Sequence, residues 1–331
     1  MVDEIRAVLF DRPADDAAAT RVATIPRPVP GPTQVLIDVA FAGINFKDVM
    51  ARRGDAGYVD AWPFSPGLEV AGRITECGPG VDEFAVGQEV VALTNHGGLA
   101  EAAVAEATLV VRKPPDLEPA VAGIVPGALT TAELLVHDFA RIRSGDTVVV
   151  HSASGAVGTA IAALLRLLGD VTLIGVVGAR ERIPAAERAG YGRVIARGAD
   201  LVDTVRDLVP GGADVVLDPQ GTAWLESDLA MLRPAGRVVL FGNAGGGALA
   251  PLPAPGRLYS GNHTIGGFSL KALSATEPER IRGAMTRVMN RIATDGLALH
   301  PVVVDGLDAA AAAQQRLAEG TGAGKYVVKV G

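Results

Sequence analysis

The chain has 331 residues, 49% hydrophobic and 20% charged, a globular balance with enough apolar material for two domains of ordinary size. Its net charge is −7 and no long basic run occurs, which argues against nucleic acid as a partner. The single Cys77 rules out an intramolecular disulfide and a cysteine-rich metal site; with no secretory core at the N-terminus and no membrane-length apolar run, the expectation is a cytoplasmic protein with no membrane partner.

The first 120 residues read as mostly β. Short strands are expected at Arg6 to Phe10, Gln34 to Ala42, Val70 to Cys77 and Glu89 to Leu93. Pro26, Pro28, Pro30, Gly31 and Pro32, then Gly78, Pro79 and Gly80, punctuate them, and such a pattern suits a small barrel or sandwich. Between the strands lie Gly43 to Met50, then Gly54 and Tyr58, then Pro66 to Gly72; polar and glycine-rich insertions of this kind are where a site is expected. From Glu118 to Ile142 the pattern turns helical.

Thr147 to Val150 suits a buried parallel strand, and Ala160 to Leu168 a helix that stops at Gly169. The turn between them carries Ala153, Gly155 and Gly158 at the spacing of a dinucleotide-binding fingerprint, with alanine in the first place. Gly155 lets the backbone approach a pyrophosphate, and the helix N-terminus offers free N–H groups to it. The same spacing also suits a merely packed strand–helix corner. A second strand, Val171 to Val177, and a helix, Ile183 to Ala189, complete a β-α-β unit. Later strands are expected at Val194–Ile195, Val215 to Leu217 and Val238 to Phe241, with Gly242 to Gly245 at the carboxyl end of the last. Leu249 to Gly261 reads as loop, Ile265 to Leu270 as a final strand, and Glu279 to Thr294 as an amphipathic helix. Ala309 to Ala313 reads as helix, and Tyr326 to Val330 closes the chain as a strand.

At the end of the second strand, Gly178 and Ala179 leave space where dehydrogenases that prefer NAD carry an acidic residue, and Arg180 and Arg182 can supply guanidinium donors to a 2′-phosphate. A solvated charge cluster at a helix start is the competing reading. NADPH is the expected cofactor.

Ala42 to Asp48, Pro66 to Gly72, Gly97 to Glu101, the fingerprint at Ser152 to Gly158 and the Gly324–Lys325 ending together resemble the medium-chain dehydrogenase/reductase superfamily. The likeness is to its zinc-independent branch of quinone oxidoreductases and polyketide-synthase-type enoyl reductases. The resemblance implies an α/β fold: a doubly wound parallel Rossmann sheet plus a GroES-like β-barrel catalytic domain built from both chain ends. Its boundaries would be 1–122 for the first part of the catalytic domain, 123–263 for the Rossmann domain, and 264–331 for the last Rossmann strand and the return. It implies a free-standing NADPH-dependent reductase of an activated C=C bond in a quinone, an enone or a carrier-bound enoyl thioester, and a natural-product pathway fits the composition. The alternative is a non-catalytic NADPH-binding structural or regulatory protein. A homodimer, paired through the last Rossmann strand at Thr264 to Phe268, is implied as well.

Zinc members of the superfamily carry a cysteine where Asn45 stands and a histidine where Leu68 stands, so no metal is expected. Tyr58 is the candidate donor to an enolate oxygen, with a pocket-wall role as the alternative, and Asn45 is expected beside the nicotinamide. Thr130 matches the position that meets the nicotinamide carboxamide, the backbone around Gly242 and Asn243 would line the same ring, and Phe241 and Phe268 are further expected cofactor contacts. Ser154, Gly155, Ala156, Val157, Gly178, Arg180, Arg182 and Lys325 complete the expected cofactor contacts. Glu69, Lys47 and Asp48 read as structural, with Asp48 capping the following turn, and His151 as packed or bonded to backbone. A basic patch for a thioester carrier would draw on Lys47, Arg52 and Arg53.

Overall fold

The computed structural model describes residues 3–322 and 324–331. The chain forms two compact units, one of residues up to 131 together with 270–331, the other of 132–269.

The second unit is built on a six-stranded sheet. From edge to edge its strands are Arg193–Ala196, Thr172–Val177, Thr147–His151, Ala213–Asp218, Leu232–Leu240 and Thr264–Gly267, every neighbouring pair parallel. Val148, Val149 and Val150 are fully buried, as expected of a strand covered on both faces. The strand order reverses between Thr147–His151 and Ala213–Asp218, and in open α/β sheets ligands bind outside the carboxyl ends of the strands at such a point. The chain places the glycine-bearing turn there.

The helix after that turn spans Ala156–Leu168, four residues longer at its start than its composition suggests. Val157, Gly158 and Thr159 are weak helix formers, and they are helical because tertiary packing overrides propensity. The final strand is Thr264–Gly267, and residues from Leu270 are already helical. The loop-like stretch around Pro255 holds a short helix, Pro255–Tyr259, started by a proline in its first turn.

The first unit holds a seven-stranded, mostly antiparallel sheet. Its path runs Val302–Asp305, Tyr326–Lys329, Gln34–Gly43, Glu69–Cys77, Glu89–Leu93 and Val110–Arg112, with Ala102–Glu106 also paired to Gln34–Gly43. Irregularities at Leu36/Ile37 and Val39/Phe41 break the register of the central pair, and such bulges bend and twist a sheet. Tyr326–Lys329 pairs antiparallel with Gln34–Gly43, so both ends of the chain build this unit. Its core is apolar, with Phe10, Val35, Ile37, Val70, Ile74, Val90 and Val328 buried together.

Candidate active site

Glu69 opens a strand and is fully buried, and its carboxylate has no water to solvate it. Three groups replace that water. The Lys325 ammonium lies 2.6 Å from Oε1, the Asn45 amide nitrogen donates to the same oxygen at 3.0 Å, and the Gly127 N–H donates to Oε2 at 2.6 Å. Gly127 lies in the first turn of a π-helical segment, Val125–Leu129, where the N–H groups have no intrahelical acceptor and the helix dipole favours an anion. A methyl group on Gly127 would sit 2.7 Å from the carboxylate, and one on Gly43 would overlap it, so both glycines make room for the charge. Lys325 spends its remaining donors on the Ile44 carbonyl at 2.8 Å and on Asn45 Oδ1 at 2.6 Å.

Asn45 is therefore engaged on every side: besides Glu69 and Lys325, its amide nitrogen donates to Gly43 O at 3.2 Å. Its backbone N–H donates to Asp48 Oδ2 at 2.8 Å, which caps the helix Phe46–Arg53. Asp48 is buried and also accepts from Gly67 N at 3.2 Å; burial pushes its carboxyl up to about 6 against those bonds and the pull of Lys325. Tyr58 follows this helix and is half-buried against the first unit's core. Burial, then the neighbouring Asp55, raises the pKa of its phenol, so the ring keeps its proton. Among the described residues its hydroxyl has no hydrogen-bond partner. Arg52 is fully buried and donates to Asp15 O, which removes it from any surface patch, and Arg53 is paired with Asp55 at 2.6 Å.

In the second unit the turn and helix fit a dinucleotide. Gly155 caps the helix without a side-chain bond, which leaves its first N–H groups for a ligand. A methyl on Gly158 would lie 2.6 Å from Ser152 O and 2.7 Å from Ala153 O, so only glycine lets the helix pack this close to the turn. Arg182 places its guanidinium on Ser154 Oγ, at 3.1 and 3.2 Å, beside the start of that helix. Around Gly178 a side chain would meet open space, and Arg180 is exposed. Ala156 and Val157 form the first helical residues. Gly242 is exposed and Phe241 and Asn243 are partly so, following the strand Leu232–Leu240, while Phe268 is buried edge-on against Phe139 at 4.8 Å. Thr130, in the first unit, is fully buried and donates to Val125 O at 2.8 Å.

The switch point also holds a buried polar cluster that local sequence does not announce. His151 is fully buried; Nε2 lies 2.9 Å from Asp228 Oδ1 and Nδ1 lies 3.4 Å from Arg197 Nη2. It is packed, as expected, but its ring bonds go to side chains and not to backbone. Burial lowers its pKa to about 4, so the neutral ring donates from Nε2 to Asp228 and accepts at Nδ1 from Arg197. Asp218 and Asp228 are both fully buried, and each keeps one carboxyl oxygen without a hydrogen-bond partner among the described residues, a setting that disfavours a full charge on both. Burial raises both toward about 7. Asp218 accepts from Gln220 N at 2.7 Å, and the Gln220 side chain donates to Ser152 Oγ at 2.9 Å, so the cluster ties the glycine turn to the neighbouring strand end. The His151 and Asp228 partners lie 77 residues apart, beyond the reach of any motif.

The two positions that carry zinc ligands in other members do not fit a metal here. Leu68 is buried and has no donor atom, and the donors and acceptor of the Asn45 amide are committed to Glu69, Gly43 and Lys325. Among the described residues no group of three or more His, Cys, Asp or Glu is placed to hold a metal ion.

The carboxyl pair makes the second unit pH-sensitive. The folded pair keeps protons that the unfolded chain releases near its ordinary value of about 4, so stability from this pair falls as pH rises toward and through about 7. His151 acts in the opposite sense, but only below its ordinary value of about 6.5. Between pH 6.5 and 8, urea unfolding followed at Trp224 is expected to show wild type losing about 1 kcal/mol relative to Asp228→Asn, whose amide cannot ionise. Parallel pH profiles for the two proteins would contradict the raised carboxyl at Asp228.

Comparison with known proteins agrees with this geometry. Residues 31–115 match the model of the alcohol dehydrogenase GroES-like domain, and residues 156–289 match that of the zinc-binding dehydrogenase family. The human synaptic vesicle membrane protein VAT-1 homolog is 30% identical over 278 residues, 79% of this chain and 70% of that protein. Mouse quinone oxidoreductase-like protein 2 is 33% identical over 231 residues, 69% of this chain and 65% of that protein. The match spans little more than half, 56%, of the zebrafish VAT-1 homolog. Among solved structures, mycobacterial Rv1454c complexed with NADPH superimposes with a TM-score of 0.88 at 28% identity, covering 98% of this chain and 99% of that one. With the two family models matched in order and a relative 30% identical over 79% of this chain, the chain belongs to the medium-chain dehydrogenase/reductase superfamily, in its quinone-oxidoreductase-like branch.

Proposed function

We propose that this chain is an NADPH-dependent, zinc-free reductase that adds hydride to an activated C=C bond of a small molecule: a quinone, an enone or an enoyl thioester. The observation that carries the cofactor choice is Arg182, whose guanidinium rests on Ser154 at the start of the uncapped helix. Open space at Gly178 leaves room for a 2′-phosphate, where an acidic side chain would repel it. The mycobacterial structure described as complexed with NADPH supports the same choice.

When bound, NADPH supplies the hydride. The N-terminus of Ala156–Leu168 holds the diphosphate through backbone N–H groups, and Arg182 and Arg180 hold the 2′-phosphate. Asn45, locked by Lys325 and Glu69, keeps a rigid polar wall at the reacting end. Tyr58 donates its proton-bearing hydroxyl to the carbonyl oxygen as charge builds there. The proton for the neighbouring carbon comes from solvent. This reading favours an enzyme over a purely structural protein, because Tyr58 presents a protonated hydroxyl with no partner among the described residues, a donor free to meet an enolate oxygen. A natural-product pathway remains part of the proposal through the enoyl-thioester option.

The exposed edge of the six-stranded sheet is Thr264–Gly267, and an unpaired edge is a liability that pairing with a second copy removes. We propose a twofold dimer through this edge; light scattering at micromolar concentration is expected to give twice the chain mass, and a monomer mass would contradict it.

The cofactor assignment is tested by calorimetry. Arg182→Ala is expected to weaken NADPH binding by about 10-fold or more, the value of one charge-assisted hydrogen bond, and to leave NADH binding within a factor of about 2. Equal affinity of the wild type for NADPH and NADH would overturn the assignment.

A further inference from the structure

Two lysines of the first unit, half-buried Lys47 and exposed Lys271, feel each other's charge and have no ion pair among the described residues. Lys47 lies in the first turn of Phe46–Arg53, and Lys271 in the first turn of Leu270–Thr276. Each ammonium makes a single hydrogen bond, to a backbone carbonyl: Lys47 to Asn95 O at 2.7 Å, Lys271 to Gly57 O at 2.8 Å, next to Tyr58. Neither is ion-paired among the described residues, so four ammonium N–H donors remain uncommitted. The arrangement differs from that of Lys325, whose three donors are all spent, and of Arg53, which has Asp55.

The two charges feel each other. Lys47 is half-buried, and burial, opposed by Asp48, together with the charge of Lys271 brings its pKa down to about 8. His96 is held neutral by its surroundings and by both lysines, with Asp60 pulling the other way. The nearest acid to Lys47, Asp48, directs its oxygens to the N–H groups of Asn45 and Gly67, and Asp60 is exposed.

The loop that Lys47 holds is also stiff. Asn95 and Gly97 flank His96 with left-handed φ values of 66° and 76°. For an asparagine that conformation costs free energy, and surrounding bonds must impose it. Here Lys47 holds its carbonyl and Ser274 its side chain, at 3.3 Å. Ser274 lies one turn from Lys271.

We propose that Lys47, Lys271 and His96 form a recess for an anionic group, a carboxylate or phosphate that the substrate carries apart from its reacting double bond, so that the favoured substrates are acids and not neutral quinones. The proposal rests on the reductase reading above for the identity of the bound molecule. Ammoniums tethered to backbone carbonyls bind an anion more strongly than freely mobile lysines do, and the half-burial of Lys47 strengthens its share while Lys271 stays exposed.

The test uses the full chain saturated with NADP⁺ and a pair of ligands: an aliphatic enone bearing a carboxylate several methylenes from the C=C, and its methyl ester. Calorimetry is expected to show the acid binding about 10-fold tighter than the ester in wild type. Lys271→Ala and Lys47→Ala should each remove most of that preference, and Lys271→Arg should retain it. Equal binding of acid and ester by wild type, or a preference that survives both alanine variants, would overturn the recess. So would variants that weaken NADPH binding and leave the acid–ester ratio unchanged, because the lysines would then serve a cofactor phosphate. Failure of either enone to be reduced by NADPH would sink the reductase reading instead, and the calorimetric ratio would still decide the recess.

Discussion

A buried carboxylate with its own cation organises the first unit. Moving Glu69 and Lys325 out of water carries a desolvation cost of several kcal/mol per ion, and only good geometry with every remaining donor and acceptor satisfied offsets it. That condition is met at 2.6 Å, with the Gly127 N–H, the Asn45 amide and the Ile44 carbonyl completing the shell. The cost of losing one partner, about 3–5 kcal/mol, is why the surroundings conform to the pair and not the reverse. Gly43 and Gly127 are small because the carboxylate needs their space, and a π-helical turn starts where it does because its N–H faces that charge. Asn45 is immobilised as a by-product, which sets the direction of the helix that carries Lys47 and Asp48 and the chain entry to Tyr58.

The second unit rests on a different device at its switch point. His151 and Asp218 end two adjacent parallel strands, and Asp228 and Arg197 close over them. Carboxyls that burial raises to about 7 and a neutral imidazole let four ionisable side chains sit together with reduced net charge. Through Gln220 the cluster reaches Ser152, whose φ of 56° starts the glycine turn. The glycine turn is thereby braced from behind by groups on the neighbouring strand ends.

Much of this was legible from sequence where chemistry and spacing are local. The β-α-β unit around Gly155 and Gly158, the strand positions at Gln34–Gly43 and Glu89–Leu93, the Asp48 cap and the missing zinc ligands at Asn45 and Leu68 all follow from short stretches. Partners far apart in the chain were not. Glu69 reads as a plain strand entry until Lys325 arrives beside it, and His151 as a packing residue until Asp228 does. Arg52 looks like a surface charge, yet its stem and guanidinium are buried against Asp15. Lys271 has no motif at all; it matters only because folding sets it beside Lys47 and the Gly57 carbonyl. Helix starts were blurred for a related reason, since Gly158 and Thr159 are helical through packing against the turn and not by propensity.

The chemistry assigned to the first unit rests on one hydroxyl. Asn45 and Lys325 have spent their donors inside the protein, so the proposed reduction assigns the enolate oxygen to the Tyr58 hydroxyl and leaves Lys47 and Lys271 for the remote anion. Steady-state kinetics of Tyr58→Phe with NADPH and an enone test this most directly. The account expects kcat to fall by about 100-fold, the loss of one oxyanion donor, with NADPH affinity unchanged. A Phe variant with full turnover and only a shifted KM would contradict it and leave Tyr58 as a wall of the pocket.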